Sequence, residues 1–198
     1  GTMHIDHLGS REGILQAKLE ILEGLRPDGR TVFNGDEPLL WNLKEYNRVT
    51  PLYFGIENDA CDVLAKDVET VDGWMNFRVH AFGDEMEVFI PAPGMHMVYN
   101  ALAAISVGYL MGIKPAKMQR ALAMFRNAGM RQEIIKRDGY TVIADCYNAG
   151  PESMEAALQV LADTPTQGRR IAVLGDMLEL GVCSPAEHYR IGRLAAQT

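Results

Sequence analysis

Apolar and polar positions alternate along the chain with two periods, one helical and one of strands. Ser10 stands where a helix N-cap belongs and Glu12 falls in the first turn. Apolar positions recur to Leu25, before Pro27-Asp28-Gly29 ends the pattern, which predicts a helix. Thr31-Val32-Phe33 predicts a short buried strand, stopped by the turn cluster Asn34-Gly35-Asp36-Glu37-Pro38. A short helix over Leu39 to Tyr46 and a strand around Pro51 to Phe54 follow. From Trp74 the period is two: Asn76 to Phe82 alternates, Gly83-Asp84 turns, and Met86, Val88 and Ile90 alternate again, which is a hairpin signal.

Met97 to Met111 is apolar nearly all round and predicts a buried helix. Lys114-Pro115 opens another, with Met118, Ala121, Leu122 and Phe125 at i, i+3, i+4 and i+7. Asn127-Ala128-Gly129 marks a domain boundary, giving expected domains 1–128 and 129–198. Beyond it, Tyr140 to Ala144 predicts a strand, and Pro151 to Ala162 a helix with Met154, Leu158 and Leu161 on one face. Ile171 to Leu174 predicts a second buried strand, and His188 to Ala196 a last helix. Strand–helix–strand–helix at these lengths predicts a parallel, right-handed βαβ unit and an α/β fold class.

Composition narrows the partners. The 198 residues suit one large domain or two small ones, and 47% hydrophobic with 23% charged residues is a globular balance. Nineteen Lys and Arg against 26 Asp and Glu leave a net charge of −7, the wrong sign for a duplex-binding surface, so no nucleic-acid partner is expected. The longest apolar run, Ala101 to Met111, contains Ser106 and Gly108 and falls short of the ~20 residues that a membrane span needs. Cys61, Cys146 and Cys183 form neither a disulfide framework nor a zinc pattern, which fits a reducing cytoplasm. The chain opens on Gly1-Thr2-Met3-His4 and closes inside a helical pattern at Ala195-Ala196-Gln197-Thr198, so the expectation is an internal piece of a longer protein.

Among candidate chemical groups Lys18 is the most informative. With Ile14 at zero on a helical wheel, Ile21 falls at about 340°, Leu25 at about 20°, Leu22 at about 80° and Leu15 at about 100°. Lys18 falls at about 40°, inside that stripe and opposite Gln16, Glu20 and Glu23. Such a lysine either snorkels its ammonium to water or is desolvated, and burial favours the neutral, nucleophilic amine. A neutral amine can add carbon dioxide to form a carbamate, an oxygen ligand suited to a hard divalent metal. His4 and His7, spaced i, i+3, are either a surface pair or metal ligands.

Asp145 follows the Tyr140–Ala144 strand at its carboxyl end, where open parallel sheets bind ligands, and is either a ligand contact or a capping carboxylate. Tyr147-Asn148-Ala149-Gly150-Pro151-Glu152 supplies a turn and a helix N-terminus, which favours negative charge. Gly175-Asp176 repeats the arrangement after the next predicted strand. Cys146 has no histidine near in sequence and is expected to be a small packed side chain. No G-x-x-x-x-G-K-[ST] occurs, and no G-x-G-x-x-G follows a strand, which disfavours a dehydrogenase.

Six runs carry a family resemblance. Gly1 to Ser10 resembles the AHxxxxGS stretch of the bacterial Mur ligases, and Gln16-Ala17-Lys18-Leu19-Glu20-Ile21 their AK-x-E-I element. Gly94-Met95-His96-Met97-Val98-Tyr99-Asn100-Ala101-Leu102-Ala103-Ala104 resembles G-x-HN-x-x-NALAA, and Met130-Arg131-Gln132-Glu133 the arginine motif opening the last domain. Asp145-Cys146-Tyr147-Asn148-Ala149-Gly150-Pro151 with Ser153-Met154 resembles DxYNANPxSM, and Gly175 to Gly181 followed by His188 resembles GDMLELG…H. Two positions depart from the pattern: Met97 stands where Asn follows the histidine, and Gly150 replaces the second Asn of NANP.

The resemblance implies the back half of a P-loop-type central ATP-binding domain followed by the first part of a Rossmann-like C-terminal domain. The UDP-binding domain and the P-loop would lie upstream, so the segment alone is expected to be inactive. It implies ATP and Mg2+ as cofactors, and as substrates UDP-N-acetylmuramoyl-tripeptide and D-alanyl-D-alanine, joined through an acyl phosphate. It implies His4 and a carbamylated Lys18 as metal ligands and Asn100 as an adenine contact. Arg131 and Asp145 would reach nucleotide phosphate and ribose, with Tyr147, Asn148 and the Gly175–Gly181 loop shaping the nucleotide and dipeptide side. The alternatives are the sister ligase that adds the third peptide residue and a non-catalytic nucleotide-binding module.

Overall fold

The computed structural model describes residues 5–45 and 49–198. It divides into two compact units, one of Gly24–Arg126 and one joining Gly1–Glu23 to Asn127–Thr198.

In the first of these, a five-stranded sheet runs in the order β1 (Thr31–Asn34), β2 (Pro51–Gly55), β3 (Val63–Val71), β4 (Trp74–Ala81) and β5 (Asp84–Ile90). The β1–β2 and β2–β3 pairs are parallel, while β3–β4 and β4–β5 are antiparallel. Leu52, Tyr53, Phe54 and Gly55 of β2 are all buried, as a central parallel strand covered on both faces requires. β4 and β5 instead bury alternate residues, the mark of a sheet with one wet face. Both antiparallel turns have two residues at positive φ, Asp72-Gly73 and Phe82-Gly83, and this mirror-image geometry matches the strand twist.

β3 was not foreseen from the sequence. Between Lys66 and Glu69 it carries an irregularity in register, with Asp67 at φ 51°, and the extra residue breaks the alternation that would reveal a strand.

Between β1 and β2 lie the helix α3 (Pro38–Trp41) and a 3-10 turn. α4 (Met95–Leu110) packs across β1 to β4, and α5 (Pro115–Ala123) lies on β5. α4 buries one face, Met97, Val98, Ala101, Leu102, Ile105, Ser106 and Gly108. Met95, Val107, Leu110 and Met111 remain exposed, so its all-round apolar sequence does not make it an enclosed helix. Among the described residues no helix is long and apolar enough to cross a membrane.

The other unit begins with α1 (Ile5–Leu8) and α2 (Arg11–Leu19), the latter capped by the Ser10 hydroxyl, which accepts the Gly13 N–H at 3.1 Å. After Leu19 the backbone tightens into a 3-10 helix, Glu20–Gly24. Residues 133–198 form the hairpin β6 (Glu133–Arg137) and β7 (Tyr140–Ala144), then α6 (Pro151–Asp163) and α7 (Ser184–Ala195). The expected βαβ unit is not formed. β7 pairs antiparallel with β6 across Asp138-Gly139, and Ile171–Leu174 joins no strand ladder. Ile171 is 67% and Val173 93% exposed, since an apolar run becomes a buried strand only where a ladder partner lies alongside it. A small core of Leu158, Met177, Leu180 and Ile191 joins α6, α7 and the loop between them.

Leu102 is fully buried in the larger core. Leu102→Ala should lower unfolding stability by about 2–5 kcal/mol in a denaturant titration.

Candidate functional site

In the sheet unit, polar chemistry gathers where β1 and β2 end, at their carboxyl termini, the position at which parallel sheets meet ligands. Asp36 lies in the turn after β1. Its carboxylate accepts N–H groups from the loop after β2, those of Ile56 at 2.7 Å, Asn58 at 2.8 Å and Glu57 at 3.2 Å. It also accepts the hydroxyl of Tyr99 from α4 at 2.9 Å. The Asn34 side chain accepts the Asp36 N–H at 3.0 Å, and the Asn58 amide donates to the Gly35 carbonyl at 3.0 Å. A Cβ on Gly55 would lie 2.7 Å from Asp36 Oδ1 and 2.9 Å from Cys61 Sγ, so the close approach requires glycine.

Burial opposes charge on Asp36, yet the N–H groups of Ile56, Asn58 and Glu57 and the Tyr99 hydroxyl outweigh it and hold the carboxyl below its usual range. The same surroundings work the other way on neighbouring acids. Burial, then Asp36 and Asp62, push the Cys61 thiol up to about 11, which makes it unreactive at neutral pH. Burial and Asp36 raise the Tyr99 phenol well above its normal value. Asn100, the next residue of α4, is exposed, with its amide nitrogen 3.7 Å from Met97 Sδ.

In the other unit, residues distant in sequence meet at the end of β7. The Arg131 guanidinium stands 4.5 Å over the centroid of the Tyr147 ring, a cation–π stack that leaves its in-plane N–H groups free to meet an anion. The Cys146 N–H donates to the Met130 carbonyl at 3.0 Å and ties the two segments. Both neighbours of Arg131 hold positive φ, Met130 at 61° and Gln132 at 48°, a strained backbone of the kind found at ligand sites. Gln132 is 7% exposed, and its Oε1 has no hydrogen-bond partner. Asp145, Cys146, Tyr147 and Asn148 are all exposed, so the expectation of a packed Cys146 fails; its backbone N–H, not its thiol, makes the contact. The Asn148 side chain accepts the Ala149 N–H at 2.9 Å. Ser153 caps α6 by accepting the Gly150 N–H at 3.1 Å.

The 175–181 loop is anchored by the buried side chains of Met177 and Leu180, with Leu178 74% exposed between them. His188 Nδ1–H donates to the Ser184 carbonyl at 2.8 Å, which leaves Nε2 to accept the Met177 N–H at 3.1 Å. This network assigns the neutral tautomer and pins the loop to α7. The Asp6 N–H donates to the Glu179 carbonyl at 3.4 Å, bringing α1 to the same loop.

Comparison with known proteins places this architecture. A family model described as Mur ligase middle domain matches residues 1–108, and one described as Mur ligase, glutamate ligase domain, matches residues 130–198. The chain belongs to the Mur ligase family. It is 43% identical over 194 residues to the UDP-N-acetylmuramoyl-tripeptide–D-alanyl-D-alanine ligase of Bacillus subtilis (strain 168), covering 97% of this chain and 41% of that protein. A crystal structure of MurF from Acinetobacter baumannii matches with a TM-score of 0.91 and 31% identity over 100% of this chain and 43% of that one. The MurF ligase from Thermotoga maritima in complex with ADP matches with a TM-score of 0.86 and 26% identity, over 98% of this chain and 44% of that one. The chain thus spans about two fifths of the relatives that it matches.

Within this Mur ligase chain, the structure unites Arg131 with Tyr147 and sets Asp145 and Asn148 in the same segment, while Asn100 belongs to the sheet unit. His4 lies outside the described residues, and only the backbone of His7 is described. Lys18 is exposed, which is the snorkelling alternative of the two that its place on the wheel left open. Ile14 is the buried residue of α2, and beyond Leu19 the 3-10 winding takes Ile21, 79% exposed, out of the wheel's stripe. Asp36, Tyr99 and His188 were not singled out from the residues themselves. Asp36 reads as a turn residue, Tyr99 as one apolar helix position among many, and His188 as a helical polar residue; only tertiary partners give them roles.

Because the folded Asp36 carboxyl titrates below its unfolded value of about 4, its contribution to stability is complete above that pH and is lost as pH falls further, through the folded value. Asp36→Asn should therefore melt at lower temperature than the parent at pH 7, with the gap closing below about pH 4. A gap constant from pH 7 to pH 3 would mean that the charge contributes nothing.

Proposed function

We propose that the protein carrying this chain forms an amide bond between D-alanyl-D-alanine and UDP-N-acetylmuramoyl-tripeptide at the expense of ATP, in peptidoglycan precursor synthesis. The observation that carries the reading is the similarity, along nearly the whole chain, to a relative bearing that name. The MurF ligase matched in complex with ADP supports an adenine nucleotide as ligand.

In this reading ATP phosphorylates the tripeptide carboxylate, the dipeptide amine attacks the acyl phosphate, and the tetrahedral intermediate expels phosphate. Arg131, held over the Tyr147 ring, presents a positive fork to phosphate oxygens as charge redistributes. Asp145 serves as acceptor for ribose hydroxyls and Asn100 as the amide facing adenine, while Tyr147 and Asn148 line the nucleotide's side. Asn148 keeps its amide nitrogen as donor because its oxygen is taken by the Ala149 N–H. The pinned 175–181 loop presents Leu178 toward the dipeptide.

Magnesium belongs to the reading as the ion that offsets phosphate charge. Among the described residues no group of three or more His, Cys, Asp or Glu could hold a metal ion, and Lys18 is exposed. Lys18, as a carbamate, and His4 are proposed for that role on the family resemblance alone.

Phosphate release from ATP by the protein carrying this chain should require UDP-N-acetylmuramoyl-tripeptide and D-alanyl-D-alanine together. Release with the dipeptide precursor and free meso-diaminopimelate or lysine instead would move the assignment to the sister ligase. Lys18→Ala should abolish turnover, with partial recovery on adding short carboxylates. A near-normal rate would return Lys18 to an ordinary surface lysine.

A further inference from the structure

Two tyrosines tie α4 to the sheet by directional bonds: Tyr109 donates to Asp84 at 3.2 Å near the helix C-terminus, and Tyr99, beside Asn100, donates to Asp36 at 2.9 Å. Val98, Leu102 and Ile105 hold the helix to the sheet by apolar contact, at 0%, 0% and 1% exposure. Such contact is non-directional, so it resists separation more than it resists a small slide or roll of the helix. The Tyr99 hydroxyl adds a directional bond, to an acceptor 63 residues away in the turn after β1. That acceptor is itself immobilised, because Asp36 is gripped by the Ile56, Glu57 and Asn58 N–H groups of the loop after β2. The bond thus fixes α4 against the carboxyl ends of two parallel strands at once. Asn100 follows Tyr99 by one helical step, about 1.5 Å along the axis and about 100° around it. It carries no apolar anchor of its own and is exposed.

We propose that Asp36 and Tyr99 are positioning residues for nucleotide binding: their hydrogen bond sets the height and rotation at which α4 presents the Asn100 amide to an adenine base. The proposal rests on the reading of Asn100 as a base contact. The sense of the bond is constant around neutral pH, because Asp36 is held ionised and the Tyr99 phenol is held protonated. Small misplacement of a contact group costs affinity out of proportion to its size, which is the reason for a rigid tie at this step of the helix.

A double-mutant cycle in the protein carrying this chain tests this, with ADP affinity measured by titration calorimetry and unfolding midpoints measured in parallel. Asn100→Ala should weaken ADP binding, and Tyr99→Phe, which keeps the ring and its packing, should weaken it by about three- to tenfold. In the Asn100→Ala background Tyr99→Phe should cost nothing further, since its effect passes through the missing amide. A tie of purely structural value would lower the unfolding midpoint and leave ADP affinity unchanged. That outcome, or an equal Tyr99→Phe loss in both backgrounds, overturns the proposal. Unchanged ADP affinity in Asn100→Ala, or no ADP binding by the parent, instead removes the reading of Asn100 and the proposal with it. Asp36→Asn should follow Tyr99→Phe in direction; should it fail to fold, the Tyr99→Phe cycle decides alone.

Discussion

The polar network around Asp36 arises from the way parallel strands are built. β2 is covered on both faces and buries four consecutive residues, so its backbone and side chains meet polar partners chiefly at its end. At that end the chain must turn, and the N–H groups of Ile56, Glu57 and Asn58 are left without ladder acceptors. One carboxylate satisfies all three and still accepts a phenol from α4. A neutral side chain at the position would offer a single acceptor oxygen or none. Gly55 is needed for the close approach to the Asp36 carboxylate, and burial, then Asp36 and Asp62, raises the Cys61 thiol beside it.

The other unit solves a different problem with less material. Its small core of Leu158, Met177, Leu180 and Ile191 holds two loops that carry mostly exposed side chains. Their order comes from local devices: Ser153 capping α6, His188 accepting from Met177, and Arg131 stacking on Tyr147. The strained Met130 and Gln132 on either side of Arg131 belong with these devices, since an unfavourable backbone persists only where its surroundings hold it. Arg131, Tyr147 and Asn148 are thus exposed yet locally braced.

Periodicity read alone recovered β1, β2, β4, β5 and all the longer helices, because each either alternates cleanly or is capped by residues of fixed chemistry, such as Ser10 and Pro115. It misses β3, whose bulge shifts the alternation, and β6, because it predicts that β7 opens a parallel unit rather than pairing back across Asp138-Gly139. Lys18 shows the limit from another side. A wheel assumes one pitch, and the tightening to 3-10 geometry after Leu19 turns Ile21 out to solvent, so the wheel could not choose between a snorkelling and a desolvated lysine.

What the residues determine without a structure is therefore local: where helices begin, where two-residue turns reverse the chain, and which ordered runs of side chains mark membership of the Mur ligases. Tertiary structure decided the rest. Whether Ile171–Leu174 is a strand depends on a neighbour, and whether Asp36 is a turn residue or the hub of a network depends on N–H groups twenty residues away and a phenol on another helix. Hydrogen-bond partners and burial are properties of pairs brought together by folding, and no single segment carries them.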